Sequence, residues 1–213
     1  MKQVTIEIDG REVQAPEGDR LLWAALEAGC DIPHLCAIRE EEPPHGGCRL
    51  CWVEIEGHAK PQTSCTVRVK EGMRVRTRTP ATERLVRAGF EMLMSVHRLD
   101  CKVCPGNRHC ALQDIARSRK VPLKPRRLPK IEPDWPVDES RAEIGLNPNH
   151  CVLCGQCVYV CNHEVNKGVL DFINRGLGTQ VGTFDGRPLA EQDCGDCVRC
   201  AEVCPVGAIY LRR

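Results

Sequence analysis

The reading turns on Cys151-Val-Leu-Cys154-Gly-Gln-Cys157-Val-Tyr-Val-Cys161 and its echo, Cys194-Gly-Asp-Cys197-Val-Arg-Cys200-Ala-Glu-Val-Cys204-Pro205. Both runs are spaced C-x2-C-x2-C-x3-C, and an internal repeat of this kind implies a small pseudo-symmetric domain. Soft thiolates select iron-sulfur clusters or zinc. Structural zinc sites use separated pairs of ligands, whereas two consecutive triplets suit a pair of [4Fe-4S] cubes in which the fourth ligand of each run crosses to the other. One site is therefore expected from Cys151, Cys154, Cys157 and Cys204, the other from Cys194, Cys197, Cys200 and Cys161. Asn162 stands where proline follows the second run, a departure that touches the loop after Cys161 rather than the ligand.

Upstream, Cys36, Cys48, Cys51 and Cys65 are spaced C-x11-C-x2-C-x13-C, with His45-Gly46-Gly47 just before the close pair. A [2Fe-2S] rhomb takes two thiolates per iron, and glycines let backbone N–H groups approach its sulfides. Taken alone, this spacing also suits zinc. A third set, His97-x3-Cys101-x2-Cys104-x5-Cys110, offers three thiolates with a histidine in the fourth place. Replacing an anionic thiolate with neutral imidazole leaves a [4Fe-4S] site less negative, which by charge alone raises its potential. Of the 16 cysteines, only Cys30 is left over, and it reads as a small buried hydrophobe. His34, His45, His58, His109, His150 and His163 show no ligand pattern and read as surface or loop residues.

Between these sets the chain reads as α+β. Val4, Ile6 and Ile8 alternate with polar residues, Asp9-Gly10 signals a hairpin, and Asp19 is placed to cap a helix carrying Leu21, Leu22, Ala25 and Leu26 that Gly29 ends. Strand patterns return in CWVEIEG, TSCTVRVKEG and MRVRT, completing a β-grasp sheet. After Thr79-Pro80, Leu85, Val86, Phe90, Leu93 and Met94 recur at helical spacing up to His97, and ALQDIARSR after Cys110 reads as a second helix. Five prolines and a basic run between Arg117 and Pro136 predict an extended, solvated connector, placed to lie on an acidic partner surface. The expected segments are 1–79, a β-grasp [2Fe-2S] domain; 80–120, a helical His-Cys [4Fe-4S] domain; 121–142, a Pro-rich basic linker; and 143–213, a 2[4Fe-4S] domain of the bacterial ferredoxin type.

Composition narrows the function. The 213 residues carry a net charge of +1, no basic stripe interleaved with aromatics, and no apolar run of membrane length, which argues against nucleic-acid binding and membrane insertion. The opening MKQVTIEIDG lacks the cationic and apolar regions of a secretory signal, so the thiols are expected to be reduced and the protein cytoplasmic. Only eight residues are aromatic, leaving small cores that metal centres would staple. The glycines Gly176, Gly178 and Gly182 do not form G-x-G-x-x-G and read as a turn-rich insertion.

The order of these motifs, with the third continuing as Cys110-Ala-Leu-Gln-Asp114, resembles the N-terminal part of the complex I large iron-sulfur subunit and the N-terminal regions of iron-only hydrogenases and NAD-dependent formate dehydrogenases. With the chain stopping soon after Cys204-Pro205-Val-Gly-Ala-Ile-Tyr210, it resembles most the diaphorase small subunit of soluble NAD-reducing hydrogenases. That resemblance implies one [2Fe-2S] and three [4Fe-4S] clusters, about 14 iron atoms. It implies FMN and NAD in a partner flavoprotein subunit only, and a hydrogenase or other redox subunit as second partner. The chain would then carry electrons and hold no catalytic residue of its own. A short complex I-like or formate dehydrogenase subunit is the alternative within this class, and a zinc-stapled interaction protein, which would be colourless, the alternative outside it.

Overall fold

A computed structural model of the protein describes residues 2–212. They form two compact units, Met1–Phe90 and Glu91–Arg213. The division falls inside one helix rather than at the segment boundaries expected from the sequence.

In the first unit β1 (Gln3–Ile8) turns through Asp9 and Gly10, both at positive φ, into antiparallel β2 (Arg11–Pro16). Helix α1 (Leu21–Glu27) follows, then β3 (Trp52–Ile55), the short β4 (Gln62–Thr63) and β5 (Arg74–Arg76). The sheet order is β2-β1-β5-β3-β4, with β5 parallel to β1 and antiparallel to β3. This is the expected β-grasp arrangement. Ile6, Ile8, Val53 and Val75 bury one face of the sheet together with Leu21, Leu22 and Ala25 of α1.

Two local expectations give way. Asp19 does not cap α1: Arg20 precedes the helix in extended backbone, and the Asp19 carboxylate receives the Arg20 N–H at 2.7 Å and Arg39 at 3.1 Å. Residues 19 and 20 are claimed by an edge pairing instead, with Val69 N–H donating to the Asp19 carbonyl and Arg20 bridging Arg68. TSCTVRVKEG is strand only at Thr63, turns at residues 64–66 and 71–72, and bridges Arg20 through Arg68. Gly29, at φ +77°, does end α1. Cys30 is half-buried against the same core rather than enclosed by it.

Helix α2 (Pro80–Val96) begins with Pro at its first position and a reciprocal cap, Thr82 N–H to Thr79 Oγ1 and Thr79 N–H to Thr82 Oγ1. Gly89 lies inside it, a residue that costs a helix roughly 1 kcal/mol relative to alanine. Its role is close approach: a Cβ there would lie 2.7 Å from the backbone oxygen of Arg49, between Cys48 and Cys51.

In the second unit α3 (Ala111–Arg119) matches the expected second helix and stops at Lys120 in left-handed backbone. β6 (Ile144–Leu146) pairs antiparallel with β9 (Ile209–Leu211), tying the two ends of the Cys-rich segment together. Between them lie α4 (Gln156–Tyr159) with a wider turn at Val160–Glu164, the hairpin β7 (Leu170–Ile173) and β8 (Gln180–Thr183), and α5 (Arg199–Glu202). The glycine-rich insertion is the connection of that hairpin. Cys157 and Cys161 are core members here alongside Ile144, Leu170, Val181 and Ile209.

The connector is not free in solvent. Lys130 Nζ donates to the carbonyls of Met94 and His97, at 2.9 and 3.1 Å, and Ile131 N–H to that of Ser95. Arg127 pairs with the buried Glu91 at 2.5 Å. The last carbonyls of α2 lack helical partners, and a cation with nearby N–H donors satisfies them. Farther on, Trp135 exchanges two hydrogen bonds with the Asn149 side chain, and Asp138 bridges Leu146. Among the described residues no helix is long and apolar enough to cross a membrane.

Gly89→Ala is expected to destabilise the first unit by about 1–3 kcal/mol by overpacking against backbone, although alanine is the better helix former. Calorimetry would show a lower transition, whereas an unchanged or raised one would mean that the Arg49 turn yields freely. Lys130→Ala is expected to cost about 1 kcal/mol through the lost helix terminus contacts, read as a lower melting temperature of the anaerobically purified protein.

Candidate metal centres

The first unit draws Cys36, Cys48, Cys51 and Cys65 inside, each at most 5% exposed. They meet as two pairs. The Cys36 thiol donates a hydrogen bond to the Cys48 sulfur, and the Cys65 thiol to that of Cys51. Cys48 is held down to about 6, first by the Cys36 thiol and also by backbone N–H groups around it. Cys51 is lowered by Cys65, while the donors Cys36 and Cys65 are pushed far up. Two sulfur pairs are the arrangement that two irons with two thiolates each require.

The long loop between Cys36 and Cys48 is anchored by Arg20, which is 2% exposed. Its guanidinium donates to the carbonyl of Ile38 at 2.8 Å and to that of Glu41, and pairs with Glu42 at 2.9 Å. Cys48 N–H points at Cys36 Sγ at 3.3 Å. Arg20 and Gly89 carry no sequence signal as site residues, since one reads as a polar helix flank and the other as a helix blemish.

In the second unit the two Cys runs are interleaved in space. Cys151, Cys154, Cys157 and Cys204 line one cavity together with Leu146, Val181 and Ile209. Cys161, Cys194, Cys197 and Cys200 line another with Val169, Leu170 and Leu189. Burial pushes Cys151 up to about 11 and Cys154 up to about 12, and their neighbours' charges add to it. Cys200 is pushed up to about 12 by burial and then by Cys161, Cys197 and Cys194. Backbone N–H groups meet three of these sulfurs: Leu153 on Cys151 at 3.3 Å, Val169 on Cys161 at 3.3 Å and Ile209 on Cys204 at 3.4 Å.

The third set lies at the end of α2. Burial first, and the charges of neighbouring cysteines after it, push the Cys104 and Cys110 thiols up. His97 is 5% exposed, and its Nδ1 is enclosed with no hydrogen-bond partner among the described residues. Burial, and then the neighbouring His150, lower its imidazole to about 4. A neutral, buried imidazole with an unpartnered nitrogen has the chemistry of a metal ligand rather than of a cap. The turn carrying Cys104 abuts the one after Cys204: a Cβ on Gly106 would lie 2.9 Å from the Val206 oxygen, and one on Gly207 2.7 Å from the Gly106 nitrogen.

His150 departs from its expected place on the surface. It is 2% exposed, with Nε2 2.7 Å from Asp100 Oδ1 and Nδ1 3.9 Å from Cys104 Sγ. His45, His58, His109 and His163 are exposed and His34 is half-buried, as loop residues should be. The donor sets therefore fit iron-sulfur clusters: buried and half-buried cysteines grouped by two, three and four, N–H groups aimed at their sulfurs, and an orphaned imidazole nitrogen.

Comparison with known proteins agrees. Residues 1–80 match the 2Fe-2S iron-sulfur cluster binding domain, and residues 87–121 the NADH-ubiquinone oxidoreductase-G iron-sulfur binding region. The NADPH-Fe(3+) oxidoreductase alpha subunit of Geobacter sulfurreducens is 36% identical over 98% of this chain, and the NADH-quinone oxidoreductase G subunit of Streptomyces coelicolor 35% identical over 97%. The chain spans 24% of the length of each of these curated relatives. A chain in the crystal structure of an NAD+-reducing [NiFe]-hydrogenase in the H2-reduced state is 32% identical, with a TM-score of 0.87 over 98% of this chain and 87% of that one. A likeness of that extent, over nearly the whole chain, makes this protein a member of the iron-sulfur subunit family shared by NAD+-reducing [NiFe]-hydrogenases and the G subunits of NADH-quinone oxidoreductases.

Proposed function

We propose that this chain is a cytoplasmic electron relay, holding one [2Fe-2S] and three [4Fe-4S] clusters and passing electrons between a flavoprotein subunit that binds FMN and NAD(H) and a second redox subunit of the [NiFe]-hydrogenase kind. The observation that carries the reading is the crossing of the two Cys runs onto two cavities, Cys151, Cys154, Cys157 and Cys204 on one and Cys161, Cys194, Cys197 and Cys200 on the other. When bound, such clusters supply single-electron steps. The chain's own residues gather the sulfurs, exclude water from them and aim N–H groups at them.

In this reading residues 1–79 hold the [2Fe-2S] centre on Cys36, Cys48, Cys51 and Cys65. Residues 80–120 hold a [4Fe-4S] centre on His97, Cys101, Cys104 and Cys110, the connector 121–142 fastens α2 to the last segment, and 143–213 holds the remaining two. The iron-sulfur family models covering residues 1–80 and 87–121 weigh against zinc. The NADPH-Fe(3+) oxidoreductase relative supports a second reading, in which the nicotinamide is NADPH and the terminal partner is not a hydrogenase.

Iron and sulfide content tests the ligand assignment. About 14 iron and about 14 acid-labile sulfide per chain are expected, and stoichiometric zinc or iron near 10 contradicts it. Cys65→Ala should lose the [2Fe-2S] signal and about two irons, whereas Cys30→Ala, half-buried and outside the sets, should keep the full count. Equal losses would show the assignment of the 16 cysteines to be wrong.

A hydride carrier releases two electrons together, so a flavin must stand between it and single-electron centres. The isolated chain is therefore expected to show no NADH-dependent reduction of a viologen dye, and to gain it with a co-expressed flavoprotein subunit. Rapid turnover by the flavin-free chain alone would refute the relay.

A further inference from the structure

Asp100 and His150 belong to none of the four ligand sets, yet both side chains converge on Cys104. His150 ends the short turn Pro148–His150 and directly precedes Cys151. The turn is built rigidly: Asn147 Oδ1 accepts from the Asn149 backbone and side-chain nitrogens at 3.1 and 2.9 Å, and Arg98 N–H donates to the Asn149 carbonyl. The ring it presents is 2% exposed and lies 5.8 Å from that of His97. Asp100 occupies the first position of the turn that carries Cys104, whose N–H donates to the Asp100 carbonyl at 3.2 Å.

The two contacts of the ring orient it. Nε2 is taken by Asp100 Oδ1 at 2.7 Å, which leaves Nδ1 facing Cys104 Sγ at 3.9 Å. A metal-bound thiolate has only lone pairs to offer. The Nδ1 contact is then a hydrogen bond with the ring nitrogen as donor and the sulfur as acceptor, and Asp100 fixes the ring through its other nitrogen. Hydrogen bonds to cluster sulfurs stabilise the more negative, reduced state.

We propose that His150, aligned by Asp100, is a positioning residue of the centre on His97, Cys101, Cys104 and Cys110: it donates a hydrogen bond from Nδ1 to the Cys104 sulfur and raises that centre's midpoint potential. This rests on reading those four residues as one [4Fe-4S] site. Because His150 is also the neighbour of Cys151, the donor sits where the third set meets the Cys151 set. The same three side chains, Asp100, Cys104 and His150, have ligand atoms within 4.8 Å of one another, so a separate mononuclear site competing for Cys104 is the rival account.

The test is an EPR-monitored redox titration of the full, anaerobically loaded chain at one fixed pH, with iron and zinc measured on each sample. The His97→Ala variant identifies which [4Fe-4S] signal belongs to this centre. His150→Leu is expected to keep the iron content and to move that signal alone to lower potential, and His150→Gln, which retains an N–H donor, to restore part of the shift. Unchanged potentials in His150→Leu with every cluster present would overturn the proposal while leaving the cluster reading intact. Loss of that cluster in both His150 variants would make His150 a ligand or a purely structural residue, and zinc that depends on His150 would establish the mononuclear site. Either result overturns the proposal. Absence of any His97-dependent signal in the unaltered chain would instead bring down the cluster reading, and the proposal with it.

Discussion

Sulfur atoms brought together as anions repel one another, and the rest of this structure depends on how the chain manages that repulsion. In the first unit the thiols share protons in pairs, so Cys48 and Cys51 are eased toward thiolate chiefly by the thiols of Cys36 and Cys65, with backbone N–H groups adding to it. In the second, burial and the neighbouring sulfurs keep thiols protonated, with Cys154 pushed to about 12. Metal loading must displace those protons, which couples binding to pH and to folding. Cys157 and Cys161 are also members of the hydrophobic core, so two candidate ligands take part in its packing.

Gathering sulfurs demands loops that follow no regular ladder, and the chain holds these loops with buried polar contacts. Arg20 ties down the segment after Cys36, Asn149 fixes the turn before Cys151, and Lys130 closes the helix that delivers His97. Each supplies partners for carbonyls or N–H groups that irregular backbone would otherwise bury unsatisfied. Close backbone approach completes the arrangement. Gly89 admits the turn between Cys48 and Cys51, and Gly106 with Gly207 lets the loops after Cys104 and Cys204 lie in contact.

The family likeness extends along nearly the whole chain while accounting for 24% of the length of the curated relatives named above. What these proteins share with this chain is thus one region of nearly its full length. In the NAD+-reducing hydrogenase structure a chain of nearly the same extent adopts the same fold.

The spacing of the cysteines suggests how they divide into sets, because consecutive ligands on a tight loop must lie within one cluster's reach. In the fold Cys204 lines a cavity with Cys151, Cys154 and Cys157, and Cys161 one with Cys194, Cys197 and Cys200. Alternation and helical periodicity placed β1, β2, α2 and α3, since one face of each is buried and that leaves a period in the sequence. Tertiary structure alone decided the rest. Asp19 lost its capping role to an edge pairing with Val69, the basic connector became a strap once the end of α2 had carbonyls to satisfy, and TSCTVRVKEG kept its strand only at Thr63. His150 had no spacing to mark it, because its partners Asp100 and Cys104 are distant in sequence and only folding sets them beside its ring.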